Sequence, residues 1–198
     1  DNLGDWSSDV CSSDLLSSSD GGTTWTATLT PTASVTQTGD VITLDNTGVS
    51  DAAGNAGSGT THSNTYAVDT QRPNATVVFA NTNLGVGQTS LVTITFSEAV
   101  VGFTNADLTV SNGTLSAVSS SDGGITWTAT FTPTASIVSA SNHITLDNTG
   151  VQDTAGNAGS GTTTSNNVVI DGVRPTATVV VANHSLIIGQ TSLVTITF

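Results

Sequence analysis

The sequence predicts an all-β chain of tandem antiparallel sandwiches, and three observations carry that prediction. Apolar residues alternate with threonine and serine over short runs, as in "SLVTITFS" at 90–97, which is the period of a half-buried strand. Turn signals rich in Gly, Asn, Asp and Pro separate these runs at the spacing of a small sandwich. Long stretches also recur: "DGGTTWTATLTPTAS" (20–34) returns as "DGGITWTATFTPTAS" (122–136), and "GQTSLVTITF" (87–96) returns at 189–198. Trp25 and Trp127, Pro73 and Pro175, and Phe96 and Phe198 each stand 102 positions apart, and about 56 of the 81 residues from 16 to 96 match residues 118–198 without a gap. A period of about 102 residues is too long for a solenoid repeat and fits a whole domain with its own core.

The complete copy spans about 73–173. "ATVVFA" (75–80) reads as its first strand, and 90–97 as the second, with Val92, Ile94 and Phe96 inward and Thr93 and Thr95 outward. "DLTVS" (107–111) and "TLSAVS" (114–119) flank Asn112-Gly113, a strong hairpin signal because both positions accept positive φ. A second hairpin turn, Asp122-Gly123-Gly124, precedes "ITWTATFT" (125–132). There Trp127, Ala129 and Phe131 share one face and Trp127 is expected in the core. Pro133 stops that strand because it cannot donate to a ladder. "HITLDN" (143–148) and "NNVVID" (166–171) complete about seven strands, and no window shows a helical period. The pattern is that of an immunoglobulin-like antiparallel sandwich.

Four segments follow. Residues 16–72 hold the later strands of one copy, 73–173 a complete copy, and 174–198 the first two strands of a third. Unpaired edges are expected at both incomplete copies, with oligomerisation by domain swapping as the consequence. Residues 1–15 match their counterpart 103–117 at about one position, and Asp5–Leu15, "DWSSDVCSSDL", keeps no strand alternation. That string resembles a common sequencing-library adapter translated in one frame, so the segment reads as non-native; a divergent linker and an insert with a reactive Cys11 are the other readings. Cys11 then says nothing of redox compartment. The rest of the chain is cysteine-free, so its stability must come from packing or bound ions.

A net charge of −13, with Arg72 and Arg174 as the only Lys or Arg residues, leaves no footprint for nucleic acid or an anionic membrane and attracts divalent cations. No apolar run reaches the ~18–20 residues of a membrane span. Acidic and amide residues gather at strand ends and loops. Glu98, Asp107, Asp153, Asn157 and Asp171 are the candidate metal ligands, because calcium takes six to eight oxygens on a flexible, glycine-tolerant loop such as "DTAGNAGSG". Asp45, Asp51, Asn55 and Asp69 are first-copy counterparts of such positions. The competing reading is that Asp and Asn make Asx-turns at strand ends. No catalytic residues are expected. His62, His143 and His184 do not recur at the matching positions, no G-x-S-x-G motif occurs, and Glu98 is the only glutamate. Three N-x-[ST] triplets, at Asn74, Asn112 and Asn183, read as coincidence in a Thr- and Asn-rich chain. Arg72-Pro73 and Arg174-Pro175 mark short, stiff junctions, the arginine either pairing with Asp171 or Asp153 or lying in solvent.

"VTITFSEAVVGFTNADLTVSNGTLSAVSSSDGGITWTATFTPT", the "DTAGN" box and the "RPTATV" start together resemble the bacterial immunoglobulin-like tandem repeats of large secreted and surface adhesins, over all but about residues 1–15. The resemblance implies a non-catalytic stalk or adhesive repeat, exported by a Gram-negative bacterium to the cell surface or medium, with neighbouring repeats of the same chain as partners. It also implies calcium (Ca2+) as a stiffening ion in several such groups. An accessory array of an extracellular hydrolase and a glycan-binding module are the alternatives. An aromatic content of 5%, mostly on predicted inward faces, counts against the last.

Overall fold

The computed structural model describes residues 6–7, 11–13 and 16–198. The backbone forms two compact units: one holds the residues up to Asn74 with Ser97–Phe103 and Asn148–Gly161, the other Ala75–Phe96, Thr104–Asp147 and Thr162–Phe198. The units thus cut across the 102-residue period. Among the described residues the regular structure is strand plus three 3-10 turns, Asn46–Gly48, Asn105–Asp107 and Asn148–Gly150. No helix among them is long and apolar enough to cross a membrane.

In the second unit one sheet runs in the order Gly113–Leu115, Thr126–Pro133, Ser90–Phe96, Ala75–Phe79. The alternation read at 90–97 is realised: Val92, Ile94 and Phe96 are buried, Leu91 and Thr95 exposed. Two smaller sheets, Leu108–Val110 with Ile144–Asp147 and Thr162–Thr164, and Val138–Asn142 with Val168–Asp171 and Asn83–Leu84, add Ile144, Leu146, Val168, Ile170 and Leu84 to the core. Asn83–Leu84 pairs parallel with Val168–Asp171, an exception to the antiparallel rule. Phe131, fully buried, meets Phe79 edge-on with ring centroids 5.1 Å apart, a preferred aromatic geometry.

Two sequence expectations change. Asn112-Gly113 is no hairpin: Leu108–Val110 pairs with Ile144–Asp147, while Gly113–Leu115 pairs with Thr126–Pro133 in another sheet. Asn112, at φ 52°, turns the chain between sheets, and its Nδ2 donates to the buried Asn142 Oδ1 at 2.7 Å. Gly113 is required by packing, since a Cβ there would collide with the Phe131 ring and lie 2.7 Å from Thr132 O. Gly113→Ala is expected to destabilise the repeat by about 2 kcal/mol or more, measured as a lower denaturation midpoint. Trp127 does not fill the core. It is half-buried, and its Nε1 donates to Gly124 O at 3.0 Å, bracing the turn that Asp122 organises through Thr126 N at 2.9 Å. That turn is the predicted hairpin, with Ser119↔Thr128 and Ser120↔Trp127 paired across it. Its backbone N–H bonds pull the Asp122 carboxyl down to about 2.

Of residues 1–15, which include the adapter-like stretch Asp5–Leu15, residues 1–5, 8–10, 14 and 15 lie outside the described residues. The rest adopts the repeat's register. Trp6↔Leu44 and Ser7↔Thr43 stand where the second copy has Leu108↔Leu146 and Thr109↔Thr145, and Cys11↔Pro31 stands where it has Gly113↔Pro133. Backbone pairing is available to almost any side chain, so loss of alternation does not prevent these short ladders.

Candidate metal centre

The loop after Gln152–Asp153 is shaped by one carboxylate. Asp153 Oδ1 accepts from Ala155 N at 2.8 Å and Asn157 N at 2.9 Å, and Oδ2 accepts from Asn157 Nδ2 at 2.8 Å. The first copy builds the same turn: Asp51 takes the N–H groups of Ala53 and Asn55, both at 2.9 Å, and the Asn55 amide at 2.8 Å. The Asx-turn reading therefore holds for the loop itself. Surroundings distinguish the copies, since Asp51 is exposed and Asp153 is only 2% exposed.

Two further acids meet Asp153. Antiparallel pairing of Val100 with Asp153 brings Glu98, two residues before Val100, beside it. Asp69 ends the strand Tyr66–Asp69, where its Oδ1 accepts from Thr36 Oγ1 at 2.9 Å and Gln71 N at 3.2 Å. One carboxylate oxygen from each of Asp69, Glu98 and Asp153 lies within 4.8 Å of the others. Two hydrogen bonds fasten the same segment to the loop: Asn157 Nδ2 donates to Asp69 O at 3.1 Å, and Arg72 Nη1 to Ala158 O at 2.7 Å. Arg72 thus engages a carbonyl, neither Asp153 nor solvent alone. In sequence terms the centre combines the last strand of the first copy with two loops of the second.

The electrostatics are uneven. Burial, then the negative charges of Asp153 and Asp69, push the Glu98 carboxyl above its ordinary value. Burial also pulls Asp153 upward, but the Asn157 side chain and the N–H groups of Asn157, Gly156 and Ala155 hold it below its ordinary value. Glu98 Oε1 is buried without a hydrogen-bond partner. An orphaned buried oxygen of this kind costs about 1–3 kcal/mol, and a bound proton or a cation relieves it. The donor set is all oxygen, with no His or Cys, which fits a hard divalent cation such as calcium.

Of the predicted ligands, Glu98 and Asp153 come together, with Asn157 beside them as a clasp. Asp107 and Asp171 do not join them. Asp107 Oδ2 accepts from Thr104 N at 2.8 Å in a capping box on the Asn105–Asp107 turn. Asp171 is exposed, its Oδ1 accepting from Val173 N at 3.3 Å. The third acid of the cluster, absent from the predicted set, is Asp69, the first-copy counterpart of Asp171. Its signal was its place ahead of Arg72-Pro73: the acid that can face Glu98 comes from the preceding copy. The histidines stay apart from the cluster. His62 Nδ1 meets Thr43 Oγ1 at 2.9 Å, and His143 Nδ1 meets Ser165 O at 3.1 Å.

Comparison with known proteins agrees with the fold. No curated protein matches the chain. A similar solved structure is that of FdeC, described as a broadly conserved Escherichia coli adhesin eliciting protection against urinary tract infections. It is 15% identical, with a TM-score of 0.39, over 98% of this chain and 60% of that one, so this chain spans 60% of that relative's length. The family model described as bacterial Ig-like domain matches residues 4–68 and again 69–170, which is most of the chain. With strands, turns and period in accord, the chain belongs to the bacterial Ig-like domain family, in two tandem matches.

Proposed function

We propose that the chain is a non-catalytic spacing and adhesive segment of a bacterial cell-surface or secreted adhesin, and that calcium stiffens the joint between its copies. The observation that carries this reading is the cluster of Asp69, Glu98 and Asp153, backed by the Asn157–Asp69 and Arg72–Ala158 hydrogen bonds. Asp69, Glu98 and Asp153 are the residues that would hold the ion. Bound there, calcium supplies positive charge to three mutually repelling carboxylates and a partner to Glu98 Oε1. Asn157 and Arg72 keep the strand end and the loop in register whether or not the ion is present. Pro73, buried at the start of the second copy, fixes the backbone that follows. A stalk needs joints of this kind, because a flexible linker lets successive domains fold back on one another.

Thermal melting of the full chain in excess calcium against a chelator tests this. At a hundredfold excess over Kd, binding adds about 2.7 kcal/mol, which raises Tm by on the order of 10 °C. Glu98→Gln and Asp69→Asn should each remove most of that rise. A Tm unchanged by calcium, or a rise undiminished in both variants, overturns the calcium reading.

A further inference from the structure

The first and last strands of the complete repeat are placed to be loaded along their length. Ala75–Phe79 opens the repeat, Asn83–Leu84 carries that strand on into a second sheet, and Val168–Asp171 closes it. Tyr66–Asp69 precedes these strands in the chain and Thr178–Val181 follows them. Tension along the polypeptide therefore enters the repeat near Ala75 and leaves it after Asp171. Asn83–Leu84 lies parallel to Val168–Asp171, with Asn83 opposite Val169 and Leu84 opposite Ile170. Val169 N donates to Thr82 O at 2.8 Å. The contact reaches back to Phe79, whose N donates to Asn166 Oδ1 at 2.8 Å and whose O accepts from Asn166 Nδ2 at 3.2 Å. One side-chain amide thus serves both backbone groups of Phe79, as a neighbouring strand would. The partners advance together, from Phe79 with Asn166 to Thr82 with Val169, as in a ladder whose two sides run the same way.

We infer that this parallel contact is a force-bearing clamp, by which the repeat resists being pulled open along its own chain. Tension draws residues 75–84 toward their N-terminal end and residues 168–171 toward their C-terminal end. In parallel strands those two directions are opposite, so the contact is sheared and its hydrogen bonds share the load. An antiparallel first and last strand would be loaded at one common end and would unzip a bond at a time. Sliding also meets the core. Leu84 is 2% exposed and its partner Ile170 0%, with Val168 also at 0%, so shear must drag these side chains out of close packing. The clamp acts on the rate of unfolding under load, which governs forced unfolding, and not on equilibrium stability. It goes beyond the spacing role proposed above. Its residues are separate from Asp69, Glu98 and Asp153, so it needs no ion, and its failure would leave the calcium reading untouched.

Single-molecule pulling on the full chain in chelator reads the clamp by changing only the direction of load. In a Cys11→Ser background, handles on Thr76→Cys and Val173→Cys shear the contact. Handles on Val86→Cys and Val173→Cys draw the two strands apart at their shared C-terminal end and peel it. Thr76, Val86 and Val173 are all exposed, so both handle pairs load the same folded repeat. The shear pair is expected to rupture at a severalfold higher force at equal loading rate. Asn166→Ala should lower the shear force and leave the peel force unchanged. Equal forces in the two geometries overturn the inference, as does an Asn166→Ala chain that loses force in the same proportion in both.

Discussion

Replacing Phe131 by alanine is expected to lower the stability of the complete repeat by about 3–5 kcal/mol. The side chain is fully buried, meets Phe79 edge-on, and covers the bare backbone of Gly113. Collapse into the cavity is resisted on both sides, because the Phe131 backbone is paired to Ser90 on one strand and to Leu115 on the other. The loss therefore approaches the full transfer and cavity terms. For a domain of this size, Tm should fall by on the order of 15 °C or more. Leu29 holds the same position in the first copy and is only half-buried. Leu29→Ala should cost about 1 kcal/mol or less, since little apolar area is lost. Denaturant midpoints of the two variants against the parent check the contrast, and equal losses would show that residue type, not burial in the complete sandwich, sets the penalty.

The second large effect is a reversal of pH dependence at the acid cluster. Glu98 holds its proton more tightly folded than unfolded, through burial and the charges of Asp153 and Asp69. Without metal its contribution is fully present below the ordinary value of 4.5 and is lost as pH rises through the raised folded value. Asp153 acts in the opposite sense in a lower window: its contribution is present above the ordinary value of 3.8 and is lost as pH falls through the lowered folded value. In chelator, stability should therefore decline as pH rises above about 4.5, and Glu98→Gln should flatten that decline. If calcium binds as proposed, it takes the place of the proton, and stability in calcium should climb over the same window. Unfolding free energies measured across the range, with and without calcium, read the two slopes. Parallel slopes would exclude a shared site for proton and cation.

Much of the sandwich was legible because its largest strands carry their own signal. Val92, Ile94 and Phe96 alternate with threonine, Pro133 ends the strand it was expected to end, and Asp122 closes its turn with its own carboxylate. Elements decided by distant partners were not legible. Thr162–Thr164 is all threonine and owes its existence to pairing with Ile144–Asp147. Val138–Asn142 carries a register shift, and its buried residue is Asn142, held by Asn112, Ser139 and the backbone. The same network explains Asn112-Gly113. A turn dipeptide fixes a local dihedral, while the ladder each flank joins is fixed by side chains about thirty residues away. The acid cluster was half legible for a related reason. The Asp153–Asn157 turn is local, and the turn at Asp51–Asn55 shows that it forms in both copies. Asp69 comes to it only through folding, from the far side of Pro73.

The clasp of Asp69, Arg72, Asn157 and Ala158 bears on how the gene can change. Asp, Arg and Pro recur as Asp171, Arg174 and Pro175 at the period of the fold. Unequal recombination between near-identical copies that removes one period, such as residues 70–171, joins Asp69 directly to Gly172, Arg174 and Pro175. That rebuilds the Asp-to-Pro spacing of the old joint, and duplication of the same block adds one more identical joint. Duplication of this kind lengthens the tandem array by a whole repeat, with no new contact to evolve.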